Sequence, residues 1–212
     1  MRMRLFSAML LAPLLMLLPI STGSALAQYV SKNGDAWPRT YMSPARSRDA
    51  YAIYSLLLPE EFPGTELAHS PLWLVADTTV VGHEEVSDPY KGLTVPLAQQ
   101  KAFAAVLQDY EQHKHTYVRL EKKFLVGTPY LLLDRADREE FKKAWQASRN
   151  AQTNLLPAEY KGAMGLIYFS YVYFNFEHTL AMVYLSHWCG ANCGGARWIA
   201  LQKNDGGWRE LP

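Results

Sequence analysis

Apolar residues recur along this chain with two different periods, and the change from one to the other divides it. Ala50, Ile53, Tyr54, Leu57 and Leu58 fall at helical spacing. Ser43 and Pro44 ahead of them supply a capping hydroxyl and a proline suited to the first helical position. Pro59 and Pro63-Gly64 stop the run, so the pattern predicts a helix over 44–57. A second stripe, Phe103, Val106, Leu107 and Tyr110, follows Pro96 and points to a helix reaching Lys114. A third, Phe141, Ala144 and Trp145, starts from a cap offered by Asp134 or Asp137.

Strand-like runs, rich in β-branched and aromatic residues, occur at 72–76, 78–81, 118–126 and 130–133. Residues 82–92 and 150–161 read as loops by composition. Beyond 165 the character changes. Runs at 166–176, 180–188, 197–203 and 208–211 are separated by turn-like segments at 175–179, 189–196 and 204–207. Four short runs so connected describe an antiparallel meander. Helices precede these strands rather than alternating with them, which places the chain in the α+β class. The expected architecture is about three helices packed on one face of a C-terminal antiparallel meander of about four strands. The earlier strands would join that sheet or form a smaller one.

The first residues belong to neither pattern. Arg2 and Arg4 precede an apolar run over 5–20 that is interrupted by Pro13 and Pro19 and ends in Ala25-Leu26-Ala27. This is the layout of a secretory signal peptide over 1–27, with cleavage between Ala27 and Gln28. The run is short for a span of roughly 20 apolar residues. The remainder, 28–212, is of a length that suits one domain, with 28–42 as an irregular N-terminal arm. No comparable apolar stretch recurs, so no membrane span is expected after cleavage. Lys and Arg number 21 against 20 Asp and Glu. A balance this close to neutral argues against nucleic acid or an anionic membrane as partner, because both demand clustered positive charge.

Export changes the reading of the two cysteines, Cys189 and Cys193. In an oxidising compartment a pair this close is expected to close as a disulfide that pins a glycine-rich turn. Redox chemistry is the rival, although a thioredoxin-type pair has two intervening residues at a helix N-terminus, and here there are three in a turn. Metal binding is the second rival. His187, Cys189 and Cys193 supply three soft or borderline ligands, and Met182 or His178 is a conceivable fourth. The expectation is nevertheless no metal and no cofactor.

Other candidate groups are weaker. His83-Glu84-Glu85, with Asp88, offers carboxylates beside an imidazole for acid–base work or a hard cation. It also reads as a solvated loop, and it fails the His-Glu-x-x-His zinc pattern. Asp77, before Thr78-Thr79, reads as a turn-forming carboxylate first and a catalytic one second. His113 and His115, two apart on a helix, do not face each other. No nucleophile elbow, P-loop or dinucleotide fingerprint occurs. Six Trp and thirteen Tyr are a heavy aromatic load. Tyr168, Tyr171, Tyr173 and Tyr184 are expected chiefly in the core, with outward placement on a binding surface as the alternative.

The C-terminal segment also carries a resemblance. Phe169-Ser170, Asn175 and Thr179, the Ala181–Tyr184 stretch, Cys189-Gly190, Cys193-Gly194, Trp198–Lys203 and Gly207-Trp208 follow one another in a fixed order. In that order they resemble a widespread type of secreted bacterial protein with a Cys-Gly...Cys-Gly hairpin turn. The 74–79 run and Pro129-Tyr130-Leu131-Leu132 share the likeness. The resemblance implies export and an α+β domain, and implies no activity.

These readings converge on a soluble protein of the periplasm or the medium. The expected role is noncatalytic binding of another protein or a cell-envelope ligand, an inhibitor of a secreted enzyme being one such case. A thiol or copper/zinc protein using His187, Cys189 and Cys193 is one alternative. A hydrolase using Asp77 or the His83-Glu84-Glu85 loop is another.

Overall fold

The strand from Leu180 onward reads Leu-Ala-Met-Val-Tyr-Leu, apolar at every position rather than at every second one. Such a run needs cover on both faces of its sheet, and the fold supplies it. The computed structural model describes residues 28–30, 36–38, 40–60, 69–80, 87–191 and 193–212. The proposed leader over 1–27 and the His83-Glu84-Glu85 segment lie outside the described residues.

The long helices are α1 (Pro44–Glu60), α3 (Gln100–His113) and α4 (Arg135–Ala151), and α2 is a single turn at Pro89–Gly92. The strands are β1 (Gln28–Val30), β2 (Ala36–Pro38), β3 (Leu72–Ala76), β4 (Tyr130–Leu133), β5 (Ala163–Phe169), β6 (Tyr173–Phe174), β7 (Leu180–Trp188), β8 (Gly194–Asn204) and β9 (Gly207–Glu210). β1 and β2 pair with each other, so the arm expected to be irregular contains a short antiparallel ribbon.

The remaining seven strands make one sheet in the order β4-β3-β5-β7-β8-β9, with β6 also on β7. From β5 onward the pairing is antiparallel, as the meander pattern predicts. β3 and β4 extend it as parallel neighbours, which makes the sheet mixed and larger than four strands. The class is α+β, with most strands in the C-terminal part.

Helices cover both faces, not the single face expected. On one side Ile53, Tyr54, Leu57 and Leu58 of α1 pack on Trp73, Val75, Ile167, Phe169, Val183, Leu185 and Ile199. On the other, Phe103, Val106 and Tyr110 of α3 meet Met182, Tyr184, Trp198 and Ala200. Beside them Phe141 and Trp145 of α4 meet Leu74, Leu166, Tyr168 and Trp188. β7 alternates between the layers, sending Ala181, Val183 and Leu185 one way and Met182 and Tyr184 the other.

Local signals set the ends. The Arg46 N–H donates to Ser43 Oγ, the cap expected for α1. Asp134, not Asp137, caps α4 by accepting from the Asp137 N–H at 2.9 Å. α4 ends with Gln152 in the left-handed region and the Thr153 N–H on the Ser148 carbonyl, a Schellman closure. It thus runs into the segment expected to be a loop, and Ala158–Tyr160 adds a 3-10 turn there. A 3-10 turn at Leu97–Gln99 likewise precedes α3, which begins later than Pro96.

The expected strand over 118–126 is replaced by two isolated bridges, Val118 with Thr40 and Arg119 with Thr78. Its amides bond elsewhere: Leu120 N–H to the Asp77 carbonyl, Glu121 N–H to the Tyr51 hydroxyl and Phe124 N–H to the Tyr130 hydroxyl. High β-propensity there serves core contact for Val118, Leu120 and Phe124 instead of a ladder.

Gly165 sits where β5 runs close under β7. A Cβ added to it would lie 2.4 Å from the Trp188 carbonyl oxygen. Backbone cannot yield as a side chain does, so Gly165→Ala is expected to cost about 2 kcal/mol or more in urea unfolding. At Gly127 an added methyl would meet nothing within 4 Å. The matching Gly127→Ala is expected to change stability by less than about 0.5 kcal/mol.

Candidate functional site

α1 carries Arg46 and Asp49 on the turn that leads into its apolar stripe, and α3 carries Asp109 beside Tyr110. Helical spacing turns these charges inward with the stripe, where they need partners. They find them across the β6 segment. Arg46 and Asp109 form a bidentate pair, Nη1–Oδ2 2.8 Å and Nη2–Oδ1 2.9 Å. Arg46 also donates to the Val172 carbonyl at 3.1 Å, and Asp109 accepts from the Phe174 N–H at 2.9 Å. The guanidinium lies 5.1 Å from the Tyr171 ring centre and 5.3 Å from that of Phe174, within cation–π range. Burial works against the Arg46 charge, yet the bond to Asp109 together with the charges of Asp109, Tyr171 and Tyr54 outweighs it and raises the pKa above the ordinary arginine value.

Two imidazoles flank this pair. His113 Nδ1 is 3.0 Å from Asp109 Oδ1, and its ring stacks on Tyr171 at 5.4 Å. His178 stacks on Phe174 at 4.5 Å with only 11° between the planes, and its Nδ1 is 3.0 Å from Asp49 Oδ2. Asp49 further accepts from Lys203 Nζ at 2.6 Å and Trp208 Nε1 at 3.3 Å. Burial pushes the Asp49 carboxyl up, but the bonds from Lys203, His178 and Trp208 prevail and hold it below the usual aspartate range. The hydroxyl of Tyr54 donates to the Ser170 carbonyl, and that of Ser170 donates to Tyr171 O while accepting from the Tyr184 N–H. Burial lifts the Tyr54 phenol far above its ordinary value, so it stays neutral.

Each of these charges and hydroxyls is committed to a partner. Ser170, 1% exposed, has no access to a substrate. The cluster therefore acts as a clamp, and what it clamps is the turn between β6 and β7. The Asn175 side chain accepts from the Thr179 and Leu180 N–H groups, both at 2.8 Å, and donates to Glu177 and to the Thr179 hydroxyl. His178 adopts the left-handed region, φ +53°, an uncommon conformation for a non-glycine residue. Between buried Asn175 and pinned His178, Phe176 stands 95% exposed.

The residues singled out from the sequence are scattered. Asp77 ends β3 with its carboxylate on the Thr78 hydroxyl at 2.9 Å and 3.5 Å from Arg119 Nε, rather than in an Asx turn among the described residues. Asp88 caps α2 by accepting from the Tyr90 N–H. Cys189 and Cys193 are joined as a disulfide with Cα atoms 5.0 Å apart. His187 lies over Gly195, where an added Cβ would come 3.0 Å from its ring. The conceivable fourth ligands do not join it, since His178 binds Asp49 at the other end of β7 and Met182 is buried under α3. Among the described residues no group of three His, Cys, Asp or Glu is placed to hold a metal ion. Tyr171, Tyr173 and Tyr184 are core residues, and half-buried Tyr168 lies under Arg138 and Lys142.

No known protein family, curated protein or solved structure matches the chain.

The depressed Asp49 carboxyl has a definite pH signature. Its stabilising contribution is complete above the unfolded aspartate value of about 3.9 and is lost as pH falls through the lower folded value. Urea midpoints measured from pH 6 downward are expected to fall below about pH 4, and to fall less steeply in Asp49→Asn.

Proposed function

We propose that this chain is an exported, noncatalytic binding protein that engages its partner through the β6–β7 turn. The carrying observation is Phe176, exposed on a turn whose backbone is fixed by Asn175 and by the His178–Asp49 bond. A large apolar side chain in water gains nothing for the folded monomer, and one held rigidly loses little entropy when it enters a partner's pocket. Both sheet faces are covered by helices, so neither is an open surface for a partner. The partner is an exported protein or an envelope ligand with an apolar recess, and inhibition of a secreted enzyme fits the same geometry.

The leader pattern over 1–27 and the disulfide support the extracytoplasmic placement. Protein recovered from the periplasmic fraction of a bacterial host is expected to begin at Gln28. An intact N-terminus in the cytosol would overturn export. For the contact itself, a photo-crosslinking phenylalanine at 176 is expected to give one discrete adduct in the producing cell. The same probe at exposed Leu155 should give none. Phe176→Ala should weaken binding of the crosslinked partner roughly tenfold or more, while the melting temperature stays unchanged. No adduct at 176, or an equal one at 155, would sink the reading.

A further inference from the structure

At the Phe176 end of the sheet the charges are sorted by sign. β7 and β8 are antiparallel, so the β6–β7 turn and the β8–β9 turn lie side by side, joined where the Lys203 N–H donates to Thr179 O at 2.8 Å. The basic groups around them are spent on interior carboxylates: Arg46 binds Asp109, while Lys203 and His178 bind Asp49. The carboxylates of Glu177 and Asp205 are left on the outside, both exposed. Among the described residues neither has an ion-pair partner.

The outward carboxylates stand on fixed backbone. Glu177 Oε2 accepts from Asn175 Nδ2 at 3.0 Å, and the same Asn175 side chain holds the turn around Phe176. Asp205 belongs to a tight turn between the paired residues Asn204 and Gly207, where the Gly206 N–H donates to Asn204 Oδ1 at 3.1 Å. Phe176 is therefore an apolar anchor with one positioned carboxylate next to it and a second on the neighbouring turn, in a chain whose total charge is close to zero. Like charges without a counter-ion repel each other and contribute nothing to the free protein. They become favourable only against a positive surface.

We propose that the surface receiving Phe176 belongs to a basic protein, whose apolar recess is bordered by lysine or arginine side chains that meet Glu177 and Asp205. This rests on the contact proposed for the β6–β7 turn and adds the partner's charge. It also separates two classes of partner. The anionic polymers and lipid headgroups of an envelope are repelled by the two carboxylates, whereas a cationic protein is drawn towards them. Phe176 supplies affinity by entering the recess. The carboxylates supply orientation and a faster encounter, with an attraction that reaches about 10 Å at 0.1 M salt.

The test uses the full exported chain with the photo-crosslinking phenylalanine at 176, mixed below saturation with periplasmic extract of the producing cells. Salt is set at about 20 mM and then about 300 mM sodium chloride, below and above the range where screening sets in. The adduct yield at 176 is expected to fall on the order of fivefold at the higher salt. Glu177→Gln/Asp205→Asn should lower the low-salt yield by a similar factor and remove most of the salt dependence, with an unchanged melting temperature. Glutamine keeps an oxygen for the Asn175 amide, so Phe176 stays in place. A yield equal at both salts, or equal in the variant, overturns the basic partner and leaves the Phe176 contact standing. A yield that rises with salt or in the variant also overturns it, in favour of an anionic partner. No adduct under any condition removes both.

Discussion

Burying both faces of a single sheet is the constraint from which the rest of this structure follows. β7 has neighbours on each side and helices above and below, so its six leading residues are all withdrawn from water. At about 25 cal/mol per Å² this double burial is the largest favourable term available to the chain. It also fixes where polar groups can go. They collect around the β6–β7 turn at one end of the sheet, where Arg46 and Asp49 of α1 and Asp109 of α3 meet that turn.

The cluster built on Asp49 and Asp109 shows what such an end requires. Arg46 and Asp109 are drawn in by the helices that carry them, and an unpaired charge there would be costly. The surrounding rings and the β6 amide supply the missing partners. The outcome is less a reactive centre than a rigid seat, and its product is the fixed shape of residues 175–179. A side chain's exposure becomes informative only beside such rigidity. Leu97 and Leu125 are also exposed, and the segment carrying Leu125 is tied by its amides to Tyr51, Ser55 and Tyr130 rather than by buried carboxylates.

Helix positions were legible because period and caps agreed at Ser43-Pro44 and Asp134, and the C-terminal strands because turn residues separated them. The parallel pairing of β3 with β4 and β5 was not legible. β3 and β4 are short apolar runs, and nothing in Leu-Trp-Leu-Val-Ala or Tyr-Leu-Leu-Leu states which strand each will join. The cover on both faces was foreshadowed by the unbroken apolar run in β7, a signal of double burial that the meander reading passed over. The clamp was invisible for a different reason. Arg46, Asp49 and Asp109 are ordinary polar residues one by one, and only their place on apolar stripes marked them. The cysteine pair was the most readable of the proposed sites because its chemistry is local, whereas Asp77 found in Arg119 a partner that no spacing rule foretells.

The strand order carries a consequence for how the chain assembles. α1 and β3 come early in the sequence, but the strands they rest on, β5, β7 and β8, come last. The N-terminal third therefore lacks much of the surface it settles on until the C-terminal hairpins exist, and those hairpins are the part that can form from neighbours in sequence. A chain emerging end first from a ribosome or a membrane pore stays open for most of its passage and closes when its final strands arrive. Its topology postpones folding without the help of any added segment.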